Sequence, residues 1–415
     1  AIVWMLQAVM PSRWAWLGGF LVAAQYVVLG QPFLTGTFGY WSQSYWGGAL
    51  TAAGGALVYG ALPRLLRKAR VGPAVAMGMG LVILMATRPF EGLIAVLPAA
   101  YLMARWLWKR RFARRALLRG VLPIALVLSL GVAAMGTYNK AVTGKATEMP
   151  WATHYEQYCV FPVFLWQDVL PPKPWRHPEL AVFYGEVEVA MHERHSTPLG
   201  LLVATLQKLA RFWIFYLGPL FTLPLLFFFV PMMRKKWARM AALPIVLVVG
   251  SGLLKFGSPP HYSAPITGLV TALIVQSLRY LQRWTWRGQK VGLALASALL
   301  TLAVGGIAYG LYESVANVRV THAEQRIEAE TLLEQEPGQH LVLVRFGPLH
   351  GRGDHWIWNR ADIDGSRVVW ARDPGLEQLP ALLDYFQGRR VWIAEVGFDP
   401  KGPLIRPLER NGDSY

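Results

Sequence analysis

The sequence predicts an all-α polytopic membrane protein of about ten transmembrane helices with a small C-terminal α/β soluble domain. Three observations predict it. Apolar residues come in blocks of about twenty, the length that crosses ~30 Å of hydrocarbon at about 1.5 Å per residue. The connectors between blocks alternate between strongly basic and nearly neutral. The last hundred residues turn polar, with short apolar runs set between helical stretches.

The blocks fall at 1–9, 14–30, 47–63, 71–87, 92–104, 120–136, 212–232, 240–256, 262–278 and 291–312. Of the 415 residues, 54% are hydrophobic and only 16% charged. A soluble chain carries nearer a quarter charged residues. Glycines such as Gly54, Gly55 and Gly60 suit close helix packing in lipid.

Four connectors set the orientation. Segment 64–70 holds four basic residues, 105–119 seven, 234–239 four and 279–290 four, and none holds an acid. With Arg13 this makes 20 basic residues on one side. The positive-inside rule places that side in the cytoplasm. All 24 Asp and Glu fall in the other connectors or the tail, beside 21 basic residues. The net charge of +17 therefore reports topology and calls for no nucleic-acid partner. Segments 31–46, 88–91, 137–199, 257–261 and the chain after about 313 are expected outside the cytoplasm.

The domain reading follows: a polytopic membrane domain over 1–313 with an external loop at 137–199, then an extracytoplasmic α/β domain over 314–415. In the latter, 318–337 reads as a polar helix and 375–388 as a second. Apolar runs at 340–346, 367–373 and 390–396 read as strands of a partly parallel sheet. The single cysteine, Cys159, excludes an internal disulfide, and no metal or cofactor is expected. No internal repeat is visible, which weighs against a transporter built on inverted halves. The chain opens with Ala1 inside a helix-like run and no initiator Met, so at least one upstream helix with its external loop is expected.

Charged residues at membrane depth are costly unless paired or facing a polar cavity. Arg88 and Glu91, in TRPFEG, sit at the outer end of one span and the start of the next. They read either as a functional pair or as an interfacial Arg that snorkels while Glu91 caps the turn. In LLKFGSPPHYSAP, Lys255, His261 and Tyr262 share the outer mouth of two helices. Together they could hold a phosphate; a prolyl loop with a belt tyrosine and a snorkelling lysine is the plain alternative. Loop 137–199 is dense in aromatics, Tyr155 among them, and Lys140 and Lys145 could meet anionic lipid or a substrate phosphate. A second aromatic loop spans 39–48.

Other motifs read as structural. His192 and His195 lie three apart, not the four of a zinc-protease helix. Asp362-Ile363-Asp364-Gly365 is a turn signal. Arg352-Gly353-Asp354 is a chance tripeptide in a polar loop.

Several short stretches carry a resemblance: Gln43-Ser44-Tyr45-Trp46-Gly47-Gly48, Arg88-Pro89-Phe90-Glu91-Gly92, Tyr138-Asn139 with Thr143-Gly144, Pro260-His261-Tyr262, and Asn359-Arg360-Ala361-Asp362-Ile363-Asp364. With many spans, large external loops and a soluble external tail, the chain resembles the C-type membrane glycosyltransferases. It is most similar to bacterial family 39 relatives of protein mannosyltransferases and aminoarabinose transferases. The resemblance implies a multi-pass protein of the bacterial inner membrane with its C-terminus outside. Its partners would be a polyprenyl-phosphate-linked sugar, membrane lipids, and a lipid, glycan or protein acceptor.

In such enzymes the catalytic carboxylate lies in the first external loop, and counting back from loop 137–199 puts that loop upstream of Ala1. No Asp or Glu precedes Glu91, in keeping with that expectation. Glu91 is left as a possible second acid. The expected substrate-binding residues are Arg88, Lys255, His261, Tyr262, Lys140 and Tyr155. The competing reading is a non-catalytic scaffold, or a transporter, of cell-envelope assembly.

Overall fold

Blocks of apolar residues in a medium without water must satisfy their backbone internally, and helices do so. In the computed structural model, which describes residues 1–24, 41, 46–175, 180–316, 322–347, 356–399 and 403–408, the chain is mostly helical. Among the described residues, seven helices are long and apolar enough to cross a membrane: Gly48–Arg67, Pro89–Lys109, Arg114–Thr143, Pro198–Tyr216, Lys236–Leu253, Pro260–Gln282 and Val291–Tyr312. Two shorter apolar helices are Val71–Thr87 and Gly218–Phe227. The chain divides into a unit Ala1–Ser314 and a unit Val315–Tyr415.

Within the first unit, Pro260–Gln282 is the central element, 89% buried along its apolar window, whereas Val291–Tyr312 is 11% buried. The latter presents nearly its whole apolar surface outward, as a helix facing lipid does. Small residues bring the central elements together. A Cβ on Gly55 would lie 1.9 Å from the carbonyl oxygen of Pro265, and one on Gly80 would lie 2.6 Å from that of Gly54. These close approaches fix helix Gly48–Arg67 against Val71–Thr87 on one side and against the 3-10 turn Pro260–Ile266 on the other. That turn carries His261 and Tyr262.

Two boundaries around the loop differ from the sequence expectation: helix Arg114–Thr143 runs past 137, where the loop was expected to begin, and the following span starts earlier than expected. The apolar block at 212–232 is not one span; it belongs to helix Pro198–Tyr216, followed by Gly218–Phe227 and Phe229–Met233. Gly218 takes φ 61° at the break. A glycine in the left-handed region with a proline after it ends a helix. The long helix therefore begins where the external loop was expected to end, and it includes Lys208 and Arg211.

Between Thr143 and Pro198 the loop forms helix Pro150–Tyr158, a π-helical segment Ala181–Val187 and helix Glu188–His195. Its stretch 161–165 is tied to 254–256. Leu165 N donates to Leu254 O at 3.0 Å, Phe256 N donates to Val163 O at 3.3 Å, and Phe164 pairs with Lys255 in an antiparallel bridge.

The second unit is a four-stranded sheet ordered β2-β1-β3-β4, with β1 His340–Phe346, β2 Val368–Arg372, β3 Arg390–Val396 and β4 Leu404–Pro407. β1 runs parallel to both β2 and β3, and β4 is antiparallel to β3. A central strand covered on both faces needs apolar residues at consecutive positions. In β1, Val342 and Val344 pack with Trp356, Trp370, Ala329 and Leu333, while Leu341 and Leu343 pack with Val369 and Leu379. Helix His322–Gln335 covers one face and helix Leu379–Tyr385 the other. β4 escaped the sequence reading. Its residues are largely exposed and it ends on Pro407, as suits an edge strand.

Candidate functional site

The break between Thr87 and Pro89 builds one side of the mouth. Arg88 leaves helical geometry at φ −145°, ψ 75°, and Pro89 restarts the chain as the first residue of Pro89–Lys109. Proline suits that first position because its missing N–H has no helical partner there. Glu91 follows in the first turn, where the helix dipole favours a carboxylate. The other side is residues 254–262, held by the loop bridge at Lys255 and by Tyr216, whose hydroxyl donates to Pro260 O at 2.8 Å.

Across this mouth Lys255 Nζ donates to Glu91 Oε1 in a buried ion pair, with Lys255 5% and Glu91 4% exposed. Lys255 Nζ also lies 4.1 Å from the centre of the Tyr262 ring and 5.3 Å from that of Phe90. Burial pushes the Lys255 ammonium down from its ordinary value, opposed by the Glu91 carboxylate and reinforced by the neighbouring Arg88 cation. A buried pair of this kind is strongly destabilised by loss of one partner, because the survivor is left as an uncompensated charge.

Arg88 stands over the same tyrosine, its guanidinium 4.2 Å from the ring centre, and Nη2 donates to Trp46 O at 3.1 Å. Its Nε is buried with no hydrogen-bond partner. His261 is buried, stacks on Trp46 at 5.0 Å and 22°, and meets the Tyr262 ring edge-on at 4.9 Å.

A further cation was missed by the sequence reading. Lys208, 6% exposed, donates through Nζ to Lys255 O at 2.5 Å. A cavity of about 10 Å³ beside it, room for about one water, is lined by Lys208, Phe212, Ser258 and Ser263 among others. Its signal was a lysine inside the apolar run 198–216, obscured because residues 200–211 were assigned neither to the loop 137–199 nor to the block 212–232.

The structure thus brings Arg88, Glu91, Lys255, His261 and Tyr262 into one cluster. It does not bring Lys140 and Tyr155 there. Lys140 is exposed in the last turn of its helix and makes no side-chain hydrogen bond or ion pair. Tyr155 donates its hydroxyl to Phe161 O at 2.6 Å, and the Phe161 ring packs 4.8 Å from Phe256. Tyr155 therefore shapes the loop that buttresses Lys255. Lys145 is paired with Glu148 at 2.9 Å.

Of the aromatic loop 39–48, only Trp41 and 46–48 are among the described residues, and 352–354 lie outside them. Asp362 accepts from Gly365 N at 3.0 Å, closing the turn expected of Asp-x-Asp-Gly. Among the described residues no group of His, Cys, Asp and Glu is placed to hold a metal ion.

Chemically, Glu91 neutralises one cation, which leaves Arg88 with an unused donor and no carboxylate partner among the described residues. The mouth can take an anion that offers several acceptor oxygens to charged donors. No protein-family model matches this chain, and neither does any curated protein or solved structure.

Proposed function

We propose that this chain is a membrane glycosyltransferase that moves a sugar from a polyprenyl-phosphate carrier to an acceptor at the outer membrane face. The observation that carries the reading is the charge balance of the mouth. Three cations, Arg88, Lys255 and Lys208, gather near Glu91, which pairs with Lys255 alone; Lys208 donates to Lys255 O, and Arg88 Nε is buried with no hydrogen-bond partner among the described residues. Gathering cations at that depth is costly unless an anion joins them. A polyprenyl phosphate reaches the site through the same lipid.

In this reading about ten spans cross the bacterial inner membrane and the C-terminus lies outside. Displacement at the anomeric carbon forms a bond to the acceptor oxygen, whose proton passes to a carboxylate base, and breaks the bond to the carrier, which leaves as the polyprenyl phosphate anion. Arg88 and Lys255 stabilise the negative charge that builds on the departing phosphate. Tyr262 holds both cations over its ring, and Glu91 serves as counter-ion to Lys255.

The test uses the chain in lipid nanodiscs, titrated with a polyprenyl monophosphate and with the matching polyprenol. The phosphate should bind at least tenfold more tightly. Arg88→Ala should remove one charge-assisted contact, about 1.5–3 kcal/mol, or roughly ten- to more than hundredfold in affinity. Equal binding of phosphate and alcohol would leave a scaffold as the better reading.

A further inference from the structure

Two unpartnered proton acceptors face inward from one short helix of the external loop. In Glu188–His195, both Glu188 Oε2 and His195 Nε2 are buried with no hydrogen-bond partner. Residues seven apart share a helix face, here with the intervening His192. Buried polar atoms are almost always satisfied, so two exceptions on one face call for a cause.

The surroundings of each acceptor differ. His195 Nδ1 is bonded to Met191 O at 2.6 Å, which leaves Nε2 as the bare lone pair of a neutral ring. Burial, and after it the charges of Lys208 and His192, push the His195 imidazole down, so it offers Glu188 no cation.

Glu188 is near enough to Tyr155, Cys159 and Tyr184 to act on them electrostatically. Tyr184 in turn bonds His154 Nε2 at 2.8 Å and stacks with Tyr158 at 6.4 Å. Lys173 is felt at Cys159. Arg176, His177 and Glu179 lie outside the described residues. Burial alone pushes the Glu188 carboxyl up to about 7.

This helix also grips the segment that carries Lys255. The Phe256 ring meets His192 at 4.8 Å, His195 at 5.1 Å and Phe161 at 4.8 Å.

We propose that residues 150–160 and 181–195 form a lobe that is a proton-held clasp: neutral Glu188 keeps helix Glu188–His195 closed beside Tyr155, Cys159 and Tyr184, and its ionisation loosens these residues from segment 254–256. A carboxyl oxygen buried with no cation partner among the described residues, as Glu188 Oε2 is, keeps that place most readily while the group holds its proton. Because the closed lobe binds that proton more tightly than the open one, closure is strongest in acid. It weakens as pH rises from the ordinary value of 4.5 toward about 7, and it changes no further above that. The inference does not depend on the transferase reading, since it concerns only how the loop is held.

Hydrogen exchange of the full chain in nanodiscs, corrected for intrinsic rates, tests it between pH 5 and 8.5. Protection of peptides covering 150–160 and 181–195 should fall by up to about tenfold per pH unit below pH 7 and level off above. Glu188→Gln keeps the shape without the titration, so its protection should stay high and flat. Glu188→Leu, which fills the apolar setting with no proton, should also be flat, and it guards against a glutamine that merely misfolds. A wild-type lobe whose protection does not change below pH 7 would overturn the proposal. So would a Glu188→Gln lobe with the same pH dependence, which would show that a group other than Glu188 carries the titration. Glu188→Gln protection lowered at every pH would overturn it too, by revealing a cation that the carboxylate serves.

Discussion

The two units treat their cations in opposite ways. In the C-terminal unit each well-placed arginine is matched. Arg326, 1% exposed, is paired with Glu330, donates to Trp356 O at 3.0 Å and Trp358 O at 2.9 Å, and lies 3.5 Å and 4.5 Å from the rings of Trp358 and Trp370. Arg345 meets Asp373 at 2.5 Å and Arg390 meets Glu336 at 2.9 Å. Arg389 has carbonyls instead, those of Ser366 and Asp364 both at 2.7 Å. At the mouth of the helical unit, Glu91 pairs with Lys255, while Lys208 has the Lys255 carbonyl and Arg88 the Trp46 carbonyl, with no carboxylate for either among the described residues. Matched cations serve the fold. An unmatched one, kept where charge is costly, points to something that arrives from outside.

That contrast is broken most directly at Arg326. Arg326→Ala removes a buried cation, strands Glu330 and opens space between two tryptophans. The loss should be about 3–5 kcal/mol, in the range for breaking a buried pair, and in a unit of this size it should largely unfold the sheet. Limited proteolysis of the full chain should then cut within 315–415 while the helical unit stays resistant. Unchanged resistance would mean that the Trp-Arg-Trp stack is not the pillar that the geometry implies.

Glu91→Gln comes next. It leaves the buried Lys255 ammonium without its counter-ion, at a cost of about 3 kcal/mol, reduced to the extent that the amine gives up its proton. Thermal unfolding in nanodiscs should show a lowered midpoint that recovers in part at alkaline pH. Lys255 is already pushed down by burial, and losing Glu91 lowers it further, so deprotonation above the new value removes the stranded charge. A midpoint equal to wild type across the range would mean that the pair is solvated.

How much of this was legible follows from what a sequence can show. Arg88, Glu91 and Lys255 stood out because charge inside apolar runs is anomalous wherever the chain goes. That Lys255 selects Glu91, 164 positions earlier, depends on Gly55 and Gly80 letting three elements close together, and no local pattern states such a pairing. Lys208 was lost to a boundary. Lys208 and Arg211 diluted the run 198–216, so the span was started only at 212 and residues 200–211 were left between it and the loop. Glu188 sits in GEVEVAMHERH, where one acid among several gives no sign of burial. β1 to β3 were visible as apolar runs, whereas β4 has an exposed pattern with no periodic signal.

The smallest expected effect completes the comparison. Arg360 faces Glu334 at 3.6 Å, with side chains 76% and 44% exposed. Both groups keep most of their hydration, so the attraction is weak, and holding two long side chains together opposes it. Arg360→Ala should therefore change stability by about 0–1 kcal/mol and shift the unfolding midpoint of the C-terminal unit by a few degrees at most. Arg88→Ala also deletes a single arginine, and it too should leave the midpoint nearly unchanged. Among the described residues its guanidinium is bound only to the Trp46 carbonyl and one ring face. The two variants should then separate in one measurement alone, the titration with polyprenyl monophosphate, where Arg360→Ala matches wild type and Arg88→Ala does not. If Arg88→Ala instead lowers the unfolding midpoint and leaves the titration untouched, its charge belongs to the fold, as those of the C-terminal unit do, and the mouth has no demonstrated use for an anion.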